Sequence, residues 1–134
     1  MQRQLHINLF IHSRGHHEAS WRHPQSTRQA LTDIDYYIDC ARKAEAACFD
    51  SMFLADVLNV PDDLDSSARV WLEPITTLAA LAVSTRRIGL IGTASTTYSE
   101  PFNLARQFAS LDHISAGRGG WNIGEMENQG TDGK

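Results

Sequence analysis

A chain of 134 residues, 42% hydrophobic and 21% charged, has the make-up of one ordinary globular domain. Its formal net charge of −4 removes an electrostatic case for nucleic acid. No apolar run approaches the roughly eighteen residues of a membrane helix, and the alternating start MQRQLHINLF lacks a signal-peptide plan, so the expected compartment is the cytoplasm.

Leu5, Ile7, Leu9 and Ile11 alternate with His6, Asn8, Phe10 and His12, a period of two that predicts a first strand. The stretch from Ser13 to Gln29 is polar and aromatic, carries Gly15 and Pro24, and is too long for a plain connector; it reads as a functional loop. A helix is expected from Thr32 or Asp33, with Thr32 and Asp35 as a variant capping box. Ile34, Tyr37, Ile38, Ala41, Glu45 and Cys48 share its face, and only Glu45 breaks the apolar stripe. Cys40 and Cys48 would stand about 12 Å apart on that helix, beyond disulfide reach, as small core residues in a reducing compartment.

FDSMFLAD predicts a short buried strand at about Ser51 to Leu54, with Asp56 just past its end. A polar loop follows from Asn59 to about Val70, where Asp62, Asp63 and Asp65 read as a solvated cluster. Pro74 suits a first helical turn, and Ile75, Leu78, Ala79, Ala82 and Val83 make the next buried face. RIGLIGTAS is near-continuously apolar, like a parallel strand covered on both sides. Pro101 opens a third helix with Leu104, Phe108, Leu111 and Ile114 inward and Gly117 as its C-cap. Gly119 to Ile123 begins a fourth strand.

This β-α-β-α-β-α-β order implies parallel strands with right-handed crossovers. An open doubly wound sheet and the first half of a (β/α)8 barrel both fit, and both gather chemistry at the C-terminal strand ends. The residues there are His12, Ser13, Arg14, His16, His17, Trp21, Arg22 and His23, then Asp56 and Asn59, then Thr93, Ser95, Thr96, Thr97 and Tyr98, then Asn122. His12 and His16 have a helical metal-ligand spacing, but they sit in a loop opened by Gly15 and read as pocket or surface histidines, so no metal site is expected. Gly117, Gly119 and Gly120 make no dinucleotide fingerprint, and there is neither a P-loop nor a G-x-S-x-G elbow. Thr96 and Thr97 could equally cap a strand-to-helix turn, and Asp56 could bond its own loop.

The segments GHHEASWRHP, FDSMFLADVLN, LEPITTLAALA and STTYSEPFNLARQFASLDHISAGRGGWNI resemble the N-terminal half of the bacterial-luciferase-like flavin monooxygenases. The branch most resembled holds the nitrilotriacetate, EDTA, dibenzothiophene-sulfone and pristinamycin-synthesis monooxygenases. The resemblance implies an α/β fold, about three and a half βα units of a TIM (β/α)8 barrel over residues 1–123. It implies a two-component enzyme, with reduced FMN supplied by a separate flavin reductase and used with dioxygen to oxidise a small organic substrate. By motif, Asp56, Thr93, Ser95, Thr96 and Asn122 match cofactor-binding positions, and His16, His17 and Trp21 match the loop at the active-site mouth. None of them is assigned as a catalytic acid or base.

The resemblance ends where Gly124-Glu125-Met126-Glu127 replaces the family's apolar continuation, so residues 124–134 are expected to be a polar tail foreign to the pattern, from a frameshift, a fragment boundary or an early stop. A complete barrel needs about 250 residues and usually binds phosphate after its seventh and eighth strands. The expectation is a fragment inactive alone. The alternatives are a non-catalytic flavin-binding module, a half-barrel that docks with a complementary half, or a pseudogene product. The family implies a homodimer.

Overall fold

The computed structural model describes residues 4–17, 19–56, 58 and 72–124. The acidic cluster at Asp62–Asp65, Asn59 and the tail from Glu125 lie outside those residues. Four parallel strands, β1 (Asn8–Ile11), β2 (Ser51–Leu54), β3 (Gly89–Ser95) and β4 (Gly119–Gly124), pair in chain order β1-β2-β3-β4. Helices α1 (Ile34–Ala46), α2 (Pro74–Ser84) and α3 (Pro101–Ser115) make the crossovers. No described helix is long and apolar enough to cross a membrane.

Strand order decides between the two architectures the pattern left open. A doubly wound sheet reverses its strand order so that helices cover both faces. Here the order never reverses, and all three crossovers fall on one face. Met52, Leu54 and Leu90 point to that face and pack with Tyr37, Ala41 and Ala44 of α1, Leu78, Leu81 and Ala82 of α2, and Leu111 of α3. Gly92, also on that face, allows α2 to lie close: a Cβ there would stand 2.8 Å from Leu78 Cδ1. The result is a wedge of a (β/α)8 barrel, with no described helix or strand over its inner face.

Several local expectations are corrected. β1 begins at Asn8, and Leu5 and Ile7 are exposed because only Asn8 to Ile11 find partners on β2. Asp33, not Thr32, caps α1, its carboxylate accepting from Asp35 N at 3.0 Å. Cys48 lies past the helix end, exposed and at φ 61°, so it is no core residue. Val83 is 73% exposed and Leu81 takes its place inside. Ile114 is exposed. In α3 the left-handed turn starts at Ala116 (φ 59°) before Gly117 (φ 83°), whose N–H bonds back to Asp112 O. β3 is buried by helices on one face only, not both.

Charged residues tie the N-terminal ends of the strands. Asp50, preceding β2, accepts from Ile7 N at 2.7 Å and from His6 Nδ1 at 3.1 Å. Glu45, the break in the stripe of α1, accepts from the backbone N–H groups of Arg86, Arg87 and Ile88 at 2.8, 2.5 and 3.1 Å, and so holds the turn into β3. Arg118, preceding β4, donates to Ser115 O, Thr85 Oγ1, Ile88 O and Ala82 O at 2.7 to 3.0 Å. Each carboxylate or guanidinium satisfies backbone groups that the ends of helices and strands leave over.

Candidate functional site

Strand parity sets the inner face in rows. Residues i and i+2 share a face, and the register aligns Asn8 with Ser51 and Gly89, then Phe10 with Phe53, Ile91 and Gly120, then Thr93 with Asn122. The lowest row is small and polar, with Ser51 Oγ donating to Asn8 Oδ1 at 3.1 Å. The middle row is a floor of rings and aliphatic carbon: Phe10 and Phe53 have centroids 4.9 Å apart, and Ile91 continues it. Gly120 keeps that floor flat, since a Cβ there would meet Ile91 Cγ1 at 3.0 Å.

The upper row is the polar rim. Asn122 Nδ2 donates to Thr93 Oγ1 at 3.1 Å. That bond leaves the Asn122 carbonyl to accept and the Thr93 hydroxyl to donate, so the pair offers both hydrogen-bonding senses side by side. At the β1 end His16 joins the face: its ring is edge-on to Phe10 at 4.8 Å and stacked on His12 at 5.2 Å.

The remaining expected residues distribute unevenly. Ser95 is buried at the end of β3 and its Oγ accepts from Thr97 N at 3.1 Å, so it shapes its own turn. Thr96 is exposed in that turn, and its N–H extends the ladder to Gly124 O at 3.2 Å. Asp56 is half-buried two residues beyond β2. His17 and Trp21 stand apart from the sheet in the loop after β1, which makes a single 3-10 turn at Ser20–Arg22. His17 Nδ1 accepts from Ala19 N at 3.1 Å, and Trp21 is exposed under the Arg22 guanidinium. Trp121 turns to the helix side, stacked on Phe108 at 5.3 Å and donating to Ala94 O at 3.2 Å.

Phe10 and Phe53 are the residues that the sequence reading passed over as site components. The signal was present: Phe10 shares parity with His12, and Phe53 is the large side chain of SMFL that alternates with the buried Met52 and Leu54.

Comparison with known proteins follows the same outline. The chain is 48% identical over 122 residues to the N-acetyl-S-(2-succino)cysteine monooxygenase of Bacillus subtilis (strain 168), covering 91% of this chain and 28% of that protein. It is 41% identical to nitrilotriacetate monooxygenase component A of Aminobacter aminovorans, covering 98% of this chain and 33% of the relative. Among solved structures, the EDTA monooxygenase of Chelativorans sp. BNC1 superposes with a TM-score of 0.84 at 33% identity, over 94% of this chain and 31% of that one. A riboflavin lyase solved with modified FMN and riboflavin superposes with a TM-score of 0.80 at 36% identity, over 91% of this chain and 30% of the lyase. The chain thus spans about a third or less of the length of these relatives. The family model for luciferase-like monooxygenases matches residues 7–131. With its consecutive parallel strands and one-sided helices, the chain belongs to the luciferase-like monooxygenase family.

Proposed function

We propose that these residues supply the N-terminal part of the barrel of an FMN-dependent, two-component monooxygenase that oxidises a small organic substrate with dioxygen. The observation that carries this reading is the inner face: a flat floor of Phe10, Phe53 and Ile91 that ends on the Thr93–Asn122 pair. Such a surface suits a planar heteroaromatic ring, apolar across its body and hydrogen-bonding along one edge. When bound, reduced FMN, delivered by a separate reductase, supplies the electrons and the oxygen chemistry. The chain's own residues bind and orient. The floor removes water from one side of the ring, Asn122 and Thr93 fix its polar edge, and Asp56, Ser95 and Thr96 stand at the same strand ends. His16 adds a ring donor or acceptor at the mouth.

By themselves these residues leave that face open, so turnover requires the strands that complete the barrel. A second reading, a half-barrel that docks with a complementary half-chain without catalysing anything itself, is favoured by the exposure of Ile123 on the edge strand β4. A homodimer of the completed barrel belongs to the first reading.

The test exchanges the matching N-terminal segment of the Bacillus subtilis relative for residues 7–124 of this chain. FMN affinity and turnover of that enzyme's own substrate are then measured with a reductase present. The expected result is FMN binding and turnover, with Asn122→Leu and Thr93→Val each weakening FMN by about tenfold. A folded chimera in which both variants bind FMN as tightly as the unsubstituted chimera would remove the rim from the flavin site.

A further inference from the structure

The turn that leaves β1 is tighter than its residues prefer. Gly15 N–H donates to His12 O at 3.0 Å and closes a turn over His12–Gly15. Ser13, at the first central position of that turn, has φ 52°. Turns of this hand favour glycine, asparagine or aspartate there, because another side chain's Cβ crowds the following carbonyl. A serine in that conformation is strained and persists only where its surroundings hold it.

Two ties run within the loop: Arg14 Nη2 donates to Gln29 O at 2.7 Å, and Ser20 Oγ donates to Gly15 O at 3.2 Å. Tyr36, in the first turn of α1, ties the turn to the scaffold. Its hydroxyl donates to Ser13 O at 3.1 Å. The ring that carries this hydroxyl is itself fixed. It is half-buried, stands edge-on to Tyr37 at 5.2 Å and packs against the main hydrophobic core. Burial first, then Cys40, pushes the phenol up to about 12, so it keeps its proton and donates throughout the neutral range.

The turn carries two rings of the candidate site. His12 enters it and His16 follows it, and their imidazoles stack at 5.2 Å with planes 18° apart. Phe10 meets both, His12 at 5.6 Å and His16 edge-on at 4.8 Å. His12 and His16 face one another because the residues between them fold back, so the stack at the end of the floor depends on the turn.

We propose that Tyr36 is a positioning residue: through Ser13 O it holds the β1 turn in its strained form and so sets His16 against Phe10 at the end of the aromatic floor. That His16 there bounds a flavin ring rests on the monooxygenase reading; the placement of His16 does not. Tyr36 belongs to the helix layer and acts on the inner face through the backbone of another element.

Tyr36→Phe keeps the ring and removes the hydroxyl. The test is NMR on the 134-residue chain. Amide exchange at Gly15 reports the turn, and ring-to-ring cross-relaxation reports His16 on Phe10. The controls are Gly117, whose N–H donates to Asp112 O at the end of α3, and the Phe10–Phe53 contact. In Tyr36→Phe the Gly15 amide should lose about fivefold in protection and the His16–Phe10 signal should weaken, while both controls hold. Adding Ser13→Gly, which takes a positive φ without the serine's strain, should return both signals although the hydroxyl is still missing. A general loosening gives another pattern: Gly15 and Gly117 fall together, and glycine restores neither. That pattern, or a Gly15 amide and a His16–Phe10 signal unchanged in Tyr36→Phe, would overturn the proposal. In the chimera with the Bacillus subtilis relative, Tyr36→Phe should weaken FMN by about fivefold and Ser13→Gly should restore it. FMN affinity unchanged while His16 has moved would remove His16 from the flavin's surroundings. Unchanged FMN affinity in Asn122→Leu would instead sink the monooxygenase reading and leave the Gly15 and His16 results standing.

Discussion

Arg118→Met tests the clamp at the lower end of the wedge. Methionine keeps most of the aliphatic stem and removes the guanidinium. Four well-formed bonds go, to Ser115 O at 2.7 Å, Ala82 O at 2.8 Å, Ile88 O at 2.9 Å and Thr85 Oγ1 at 3.0 Å; a fifth, to Thr85 O at 3.4 Å, is too long to count for much. Hydrogen bonds to a charged group contribute about 1.5–3 kcal/mol each when water cannot replace them. Arg118 is part-buried, so water recovers some of the loss, and about 1 kcal/mol per bond gives a total near 4 kcal/mol. With a urea dependence of about 2 kcal/mol per molar, the midpoint should fall by roughly 2 M. Far-ultraviolet circular dichroism against urea reads the shift. Arg118→Lys keeps the charge but offers one nitrogen, which cannot span Ala82, Ile88 and Ser115 together, so it should recover less than half. A Met variant within about 0.3 M of the parent, or a Lys variant that recovers fully, would refute the clamp.

Three further outcomes are expected. Partial burial pushes the Glu45 carboxyl up, but the N–H groups of Arg87, Arg86 and Ile88 outweigh it and hold the group below its ordinary 4.5. Its stabilisation is therefore complete above the unfolded value and lost as pH falls through the lower folded one; acid unfolding of Glu45→Gln should lack that component. Burial first, then the neighbouring Cys40, pushes the Tyr36 phenol up to about 12. Stability is thus intact below 10 and declines as pH rises toward 12, which an ultraviolet titration compared with Tyr36→Phe will show. Gly92→Ala drives a methyl against Leu78 Cδ1 and should cost about 1–3 kcal/mol, whereas in a Leu78→Ala background the same change should cost much less; additive effects in a double-mutant cycle would exclude the contact.

The order of elements was legible because hydrophobic period is local: every strand and helix expected from spacing is present, within a few residues. Errors fell where a distant partner decides. Leu5 and Ile7 alternate correctly, yet β2 gives them no partners, so the strand starts at Asn8. Val83 and Leu81 are two apart in an almost wholly apolar helix, and only the position of the sheet selects Leu81 as the buried one. Glu45 looked like a fault in a stripe because its amide partners lie more than 40 residues away. Barrel and doubly wound sheet share the same one-dimensional pattern, and only pairing order separates them. Of the candidate site, the Thr93–Asn122 pair follows from strand register. The Phe10–Phe53 floor needed two strands to be aligned before either ring had meaning.

The placement of charge along the strands has an evolutionary consequence. Asp50, Glu45 and Arg118 all fasten the fold where strands begin, whereas Thr93, Asn122 and the loop after β1, the proposed site, stand where strands end. A mutation that retunes recognition at one rim leaves the fastenings at the other untouched. With the site placed as proposed, selection can vary Ser13–Gln29 and the tips of β3 and β4 while the architecture stays put. A randomised library confined to that rim should retain most of its folded members, and one of equal size confined to the opposite rim should not.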